Sequence, residues 1–216
     1  MSTVYRSIFV VIMFSIVMSF MVNFNSDTTT SSKLKSGAEL ASHDALLSYD
    51  ELEFVRGKIV FEKNDSRDSF KETMGHNLGV TERGSTTLKP IPGSFFTNNI
   101  EIERLVFIDD ATKPSDVTTG KLYSIDGGQV ETYDDGVVKF PLIYQDNTYE
   151  LRSGYTSYRD ENGNMVSREV DSGLVLERPG IISVLATKSP RWFKGKDTKL
   201  RQASAYNFKL SVPAAD

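Results

Sequence analysis

Residues 7–24 read SIFVVIMFSIVMSFMVNF, an uncharged run built mainly from Ile, Val, Phe and Met. As a helix rising roughly 1.5 Å per residue it covers about 27 Å, close to the ~30 Å hydrocarbon core of a bilayer. Arg6 and the amino terminus carry the positive charge before it; Asp27, Lys33 and Lys35 follow it. By a small margin this puts the N-terminus in the cytoplasm and the C-terminal part outside, in an extracellular or periplasmic space. A cleaved secretory signal is the competing reading and would leave the rest of the chain secreted. The run is long for a signal core, and Val22-Asn23-Phe24-Asn25 offers no small-x-small cleavage site. The sequence therefore favours an uncleaved anchor that holds residues 7–24 in membrane lipid.

Inside the run, Ser15, Ser19 and Asn23 recur every four residues and share one side of a helix. Such a row suits packing against another membrane helix. The plainer alternative has the serines bonding back to their own backbone. Residues 25–32 (NSDTTTSS) are polar and read as a linker or as the unravelled top of the anchor helix. Then Leu34, Ala38, Ala41 and Ala45 fall on a heptad-like stripe, and Ala is the strongest helix former. An Ala-rich helix is expected here, either separate from the membrane helix or continuous with it, with either the chain's own head or a neighbouring subunit as its partner.

Downstream, residues 58–62 predict a short strand with Ile59 and Phe61 on one side. Asp65 or Ser66 suits the N-cap of a helix running to about Gly75, with Asn77-Leu78-Gly79 as its exit. Residues 81–99, rich in Gly and Pro, read as a loop. Alternation then sets in. Ile100, Ile102, Val106 and Ile108 share a parity that Arg104 breaks, and further short strands are expected at 121–125, 129–133, 137–144, 148–159, 165–170, 174–177, 180–187 and 205–212. The fold class expected is α+β: a transmembrane helix running into an Ala-rich helix, then a mainly antiparallel β head. The divisions are 1–24 for the anchor segment, 25–49 for linker and Ala-rich helix, and 50–216 for the head.

The 216 residues contain no cysteine, so neither a disulfide framework nor a thiolate metal site is available. The formal net charge of −4 gives no global field toward nucleic acid. Catalytic signals are few. His43 and His76 lack metal-spaced partners, and no Gly-x-Ser-x-Gly elbow occurs. Ser32-Lys33-Leu34-Lys35 matches Ser-x-x-Lys only formally. Asp160, Asn162 and Asn164 alternate like the start of a calcium loop, but Met165 and Asp171 occupy the places that need Gly and Glu. Asp109-Asp110, Asp126 and Asp134-Asp135 are read as turn residues bonding their own backbone. No metal, cofactor or enzymatic activity is expected. One basic cluster stands out: Lys188, Arg191, Lys194, Lys196, Lys199 and Arg201, with Trp192 inside it. It is either a contact for an anionic surface or partner, or a solvated loop with its aromatics tucked into the core.

Three stretches resemble the minor pilin-like proteins of tight-adherence secretion and pilus systems. They are Leu34-Lys35-Ser36-Gly37-Ala38-Glu39-Leu40-Ala41; Ile59-Val60-Phe61 with Phe70 and Asn77-Leu78-Gly79; and Pro179-Gly180-Ile181-Ile182-Ser183-Val184-Leu185-Ala186. The resemblance implies a structural or accessory component of a pilus-like, secretion or conjugation apparatus, whose partners are other subunits of an envelope assembly. No Gly or Ala stands before the hydrophobic run at a prepilin-peptidase site, and no Glu lies within it. A membrane-retained accessory protein fits this departure better than a major filament subunit. The alternative function is a membrane-tethered module that binds an envelope polymer or a protein.

Overall fold

A computed structural model describes residues 2–113, 121–125, 128–132, 142–145, 148–151, 156–159, 165–168, 174–176, 179–189 and 198–208. Helix α1, Ser2–Ala45, is one unbroken element of 44 residues. The linker reading of residues 25–32 is corrected: they are helical. That stretch has neither Gly nor Pro, and each Thr or Ser costs at most about 0.7 kcal/mol relative to Ala in a helix. Tertiary contacts outweigh this cost, because Thr30 is buried and Ser31 hydrogen-bonds Gln202. The helix ends in a tightened turn, with Leu46 N–H donating to His43 O at 3.2 Å and Leu47 N–H to Asp44 O at 3.1 Å.

Two shorter helices follow. Helix α2, Glu51–Val55, is capped by Asp50, whose carboxylate accepts from Leu52 N–H and Glu53 N–H. The sequence pattern gave no sign of it, since it buries no side chain. Helix α3, Lys63–Leu78, begins before the expected Asp65 or Ser66, with Glu62 at the N-cap position. Its Ser66, Phe70, Met74 and Leu78 recur every four residues and form the buried face. Gly79 closes it in the left-handed region at φ 63°, its N–H donating to Gly75 O, as the Asn-Leu-Gly exit implied. Helix α3 runs back along α1: Thr73 Oγ1 donates to Asp44 Oδ2 at 2.8 Å, and Leu78 lies against Gly37. A Cβ at Gly37 would sit 2.8 Å from the Leu78 methyl carbons, so this helix crossing uses the missing side chain.

The strands are β1 (Val80–Glu82), β2 (Thr87–Pro90), β3 (Ile100–Ile108), β4 (Lys121–Ile125), β5 (Gly128–Thr132), β6 (Leu142–Gln145), β7 (Thr148–Leu151), β8 (Thr156–Arg159), β9 (Met165–Arg168), β10 (Leu174–Leu176), β11 (Gly180–Ser189) and β12 (Thr198–Asn207). A five-stranded antiparallel sheet has the order β1-β2-β3-β11-β12, a second has the order β10-β7-β6-β5-β4, and β8 pairs with β9. The molecule is thus α+β with a long apolar N-terminal helix. Three strand expectations are corrected. Residues 58–62 form only an isolated bridge, Tyr49 to Phe61, with Ile59 N–H and Phe61 N–H tied to the carboxylates of Asp110 and Asp109. The loop expected over 81–99 contains β1's end and all of β2. The last described strand is Thr198–Asn207, which begins before the expected 205 because it pairs along all of β11; residues 209–212 of that expectation lie outside the described residues.

The Arg104 interruption is a β-bulge. Arg104 pairs with Val184 but Ile102 with Leu185, so Glu103 is the extra residue. The inserted residue flips the parity: Ile100 and Ile102, then Leu105 and Phe107, face the helices. Val106 and Ile108 turn instead to the opposite face, with Ile182, Val184, Tyr149 and Leu176. Strand β11 is therefore covered on both faces and buried at nine of ten positions. The main core lies between this sheet and the helices, around Leu34, Phe70, Met74, Ile100, Ile181 and Leu185.

Candidate functional site

Helix α1 is divided by exposure. Ile8, Phe9, Val10, Val11, Phe14 and Phe20 are among the apolar side chains that stand free, as does Phe24 at 73 % exposure. Tyr5–Ala45 is a helix long and apolar enough to cross a membrane, with none of its most apolar 18-residue window buried inside the protein. Each Ile, Val or Phe favours lipid by about 0.3–0.6 kcal/mol at a helix centre. These features are consistent with a single-pass membrane protein.

The stripe Leu34, Ala38, Ala41 and Ala45 has 0 % exposure and lies in the main core against α3, β11 and β12. Its partner is the chain's own sheet and helix. Of the two partners the sequence left open, the chain's own head and a neighbouring subunit, the stripe meets the first: the missing bulk of Ala38 and Ala41 lets α1 settle onto the sheet. Ser42 Oγ lies 3.4 Å from Ser183 Oγ in the same contact. In the free half, Ser15 Oγ donates to Val11 O at 2.9 Å and Ser19 Oγ to Ser15 O at 2.8 Å. The serines thus take the self-bonded arrangement, with Ser15 exposed and Ser19 and Asn23 half-buried.

Of the basic cluster, Arg191, Trp192, Lys194 and Lys196 lie outside the described residues, as do Asp126, Asp134, Asp135, Asp160, Asn162 and Asn164. Lys188 is exposed. Lys199 and Arg201 are engaged: Lys199 Nζ is 2.7 Å from Glu101 and 2.8 Å from Glu103, and Arg201 Nε is 2.8 Å from Glu103. Burial pushes the Glu103 carboxyl up, but hydrogen bonds from Arg201 and Lys199 outweigh it and hold the group below its ordinary value. Glu101, then Glu103, raises the Lys199 ammonium. These two cations therefore do not form an open basic patch. The alternating acids Glu101 and Glu103, matched by Lys199 and Arg201 across the bulge, were the signal for this pairing.

Asp109 behaves as a turn residue. Its carboxylate accepts from Ala111 N–H at 3.1 Å and Thr112 Oγ1 at 2.5 Å, as well as from Phe61 N–H. His43 Nδ1 lies 3.0 Å from Asp44 Oδ1, and its ring meets Tyr206 edge-on at 5.5 Å. The hydrogen bond to His43 and a second from Thr73 lower Asp44's pKa against the effect of burial. His76 is on the surface beside Glu72. Among the described residues no group of three His, Asp or Glu is arranged to hold a metal ion.

Two cavities lie near the start of β3, one beside the sheet-packed half of α1 and one beside the end of β11. One of about 400 Å³ is lined by Lys33, Gly37, Leu40, Asn77, Gly79 and Phe95, with the Lys33 ammonium 4.8 Å above the Phe95 ring. The other, about 250 Å³, is lined by Thr97, Asn98, Asn99, Glu101, Lys188 and Lys199 among others. Sequence reasoning missed both, because residues 91–99 have no periodicity. At the opposite end Leu47, Leu52 and Val55 are exposed at 63 %, 74 % and 85 %. No protein-family model, curated protein or solved structure matches the chain.

Proposed function

We propose that this chain is a non-enzymatic, membrane-anchored component of an envelope assembly, of pilus-like, secretion or conjugation type, with its folded head outside the cell and its N-terminus in the cytoplasm. The observation that carries this reading is the single helix α1, bare and apolar through its first half and sunk into the sheet through its second. A continuous helix transmits position and torque from lipid to head, which a flexible tether would not. The sequence resemblance to tight-adherence minor pilin-like proteins supports the same assignment. With the Ala stripe used internally, the apolar surfaces among the described residues that offer most to other subunits are the first half of α1 and the tip at Leu47, Leu52 and Val55.

Single cysteines at Phe20 and Leu52, introduced into a chain that has none, test this in intact cells. The expected outcome is a crosslink to another envelope protein from at least one position. Capture of lipid alone from Phe20 and nothing from Leu52 removes the assembly reading. A second reading, a membrane-tethered binding module, is favoured by the self-bonded Ser15 and Ser19, which leave the anchor little to offer a neighbour. Replacing residues 1–24 by an unrelated anchor discriminates them: a binding module keeps its activity and an assembly component loses it.

A further inference from the structure

We propose that the 250 Å³ cavity beside Lys188 is a phospholipid-headgroup site, held at the height of the membrane surface by α1; this rests on α1 crossing the bilayer. Two contacts tie α1 to β12. Ser31 hydrogen-bonds Gln202, and twelve residues on, His43 meets Tyr206. Helix and strand therefore run in the same direction, away from the apolar half. The helix covers about 18 Å between these contacts and the strand about 13 Å. Stepping back from Gln202 to Lys199 is about 10 Å of strand, equivalent to roughly seven to nine helix residues. That brings the Lys199–Lys188 rung level with the last apolar residues of the span, near Phe24.

The headgroup layer on one leaflet is about 5–7 Å deep, so a cavity at this height lies level with it. Its walls are fixed by Asn98 Nδ2 donating to Lys188 O at 3.0 Å and Thr187 Oγ1 donating to Asn99 O at 3.0 Å. The exposed Lys188 ammonium suits a phosphodiester. The hydroxyl of Thr97 and the amides of Asn98 and Asn99 suit the hydroxyls of a glycerol headgroup. Glu101 is already bonded to Lys199, which leaves little for a quaternary ammonium. The chemistry therefore selects an anionic phosphatidylglycerol-type lipid over phosphatidylcholine.

The full chain, carrying a fluorophore on T97C or on V55C, is reconstituted into phosphatidylcholine vesicles with a headgroup-nitroxide quencher; these labels report height alone. The unlabelled chain, which keeps Thr97, is reconstituted with equal phosphatidylcholine and phosphatidylglycerol, and the lipid it retains on detergent extraction is measured. Flotation with the vesicles reports the anchor separately. The proposal expects strong quenching at position 97 and little at 55, and phosphatidylglycerol enriched over phosphatidylcholine in the retained lipid. It expects Lys188→Glu to lower that enrichment about fivefold, with flotation unchanged and glycerophosphate failing to compete. Equal quenching at 97 and 55 in floated protein overturns it, as does retention indifferent to phosphatidylglycerol or to Lys188→Glu. Competition by free glycerophosphate overturns the lipid as the source. Failure to float removes the membrane reading itself.

Discussion

Residues 7–24 and residues 30–45 belong to one helix, yet each half is apolar for a different reason. The first half carries large side chains all round and buries none of its most apolar window inside the protein. The second, Leu40 apart, is apolar only along Leu34, Ala38, Ala41 and Ala45, and these four are wholly enclosed. Large residues facing every direction suit a fluid solvent, which fills whatever shape they present. Small residues in a single stripe suit a rigid surface, where close approach is the gain and extra volume is a cost. The two environments change over within about six residues, or roughly 9 Å, between Phe24 and Thr30.

The contrast can be broken from either side. Charging the free half with Phe14→Asp and Val17→Asp costs about 2.5–3.5 kcal/mol per site for insertion. The chain is expected to leave the membrane fraction on flotation while keeping its cooperative unfolding transition; loss of both would mean the halves are not separable. Phe70→Ala in α3, which packs with the sheet-covered half of α1, is expected to cost about 3–5 kcal/mol, read as a lower urea midpoint with unchanged membrane attachment. Ala41→Leu is expected to cost about 1–3 kcal/mol by overpacking, whereas Ser15→Leu leaves the midpoint where it was. If Ala41→Leu is equally silent, the stripe is not tightly enclosed.

The smallest expected effect is a pH dependence. Asp44 and Glu103 have pKa values below those of the unfolded chain. Their contribution is present above the unfolded carboxylate range and is lost as pH falls through the depressed folded values. Lys199 is raised, so its contribution is present below the ordinary lysine value and is lost as pH rises through the folded one. A series of urea midpoints against pH should decline at both extremes, and Asp44→Asn should flatten the acid limb. An unchanged acid limb in that variant would dissociate Asp44 from the α1–α3 contact.

What was legible in the sequence divides along the same line. The apolar run and the Ala stripe could be read because each has a period or a length that only one environment satisfies. The partner of the stripe could not be read, since small residues pack equally well on a cis or a trans surface. Arg104 looked like a break in β3, and only the pairing with β11 shows that one inserted residue, Glu103, transfers Leu105 and Phe107 to the helix side. Strand β2 was hidden by its turn-rich flanks, and β12 by its cationic start, where Lys199 and Arg201 are answered by acids on β3. The cavity beside Lys188 comes from the ends of β3, β11 and β12 and the preceding loop. No local signal marks such a convergence.

The contacts of α1 with β11 and β12 join residues 141 and 171 positions apart, Ser42 to Ser183 and Ser31 to Gln202. At about 5–20 residues per second on the ribosome, the helix waits roughly ten to thirty seconds for the strands that will cover it. During that interval its Ala face has only α3 to rest on. Folding therefore cannot be completed in order from the N-terminus: the first element made is finished by β12, once translation passes residue 200.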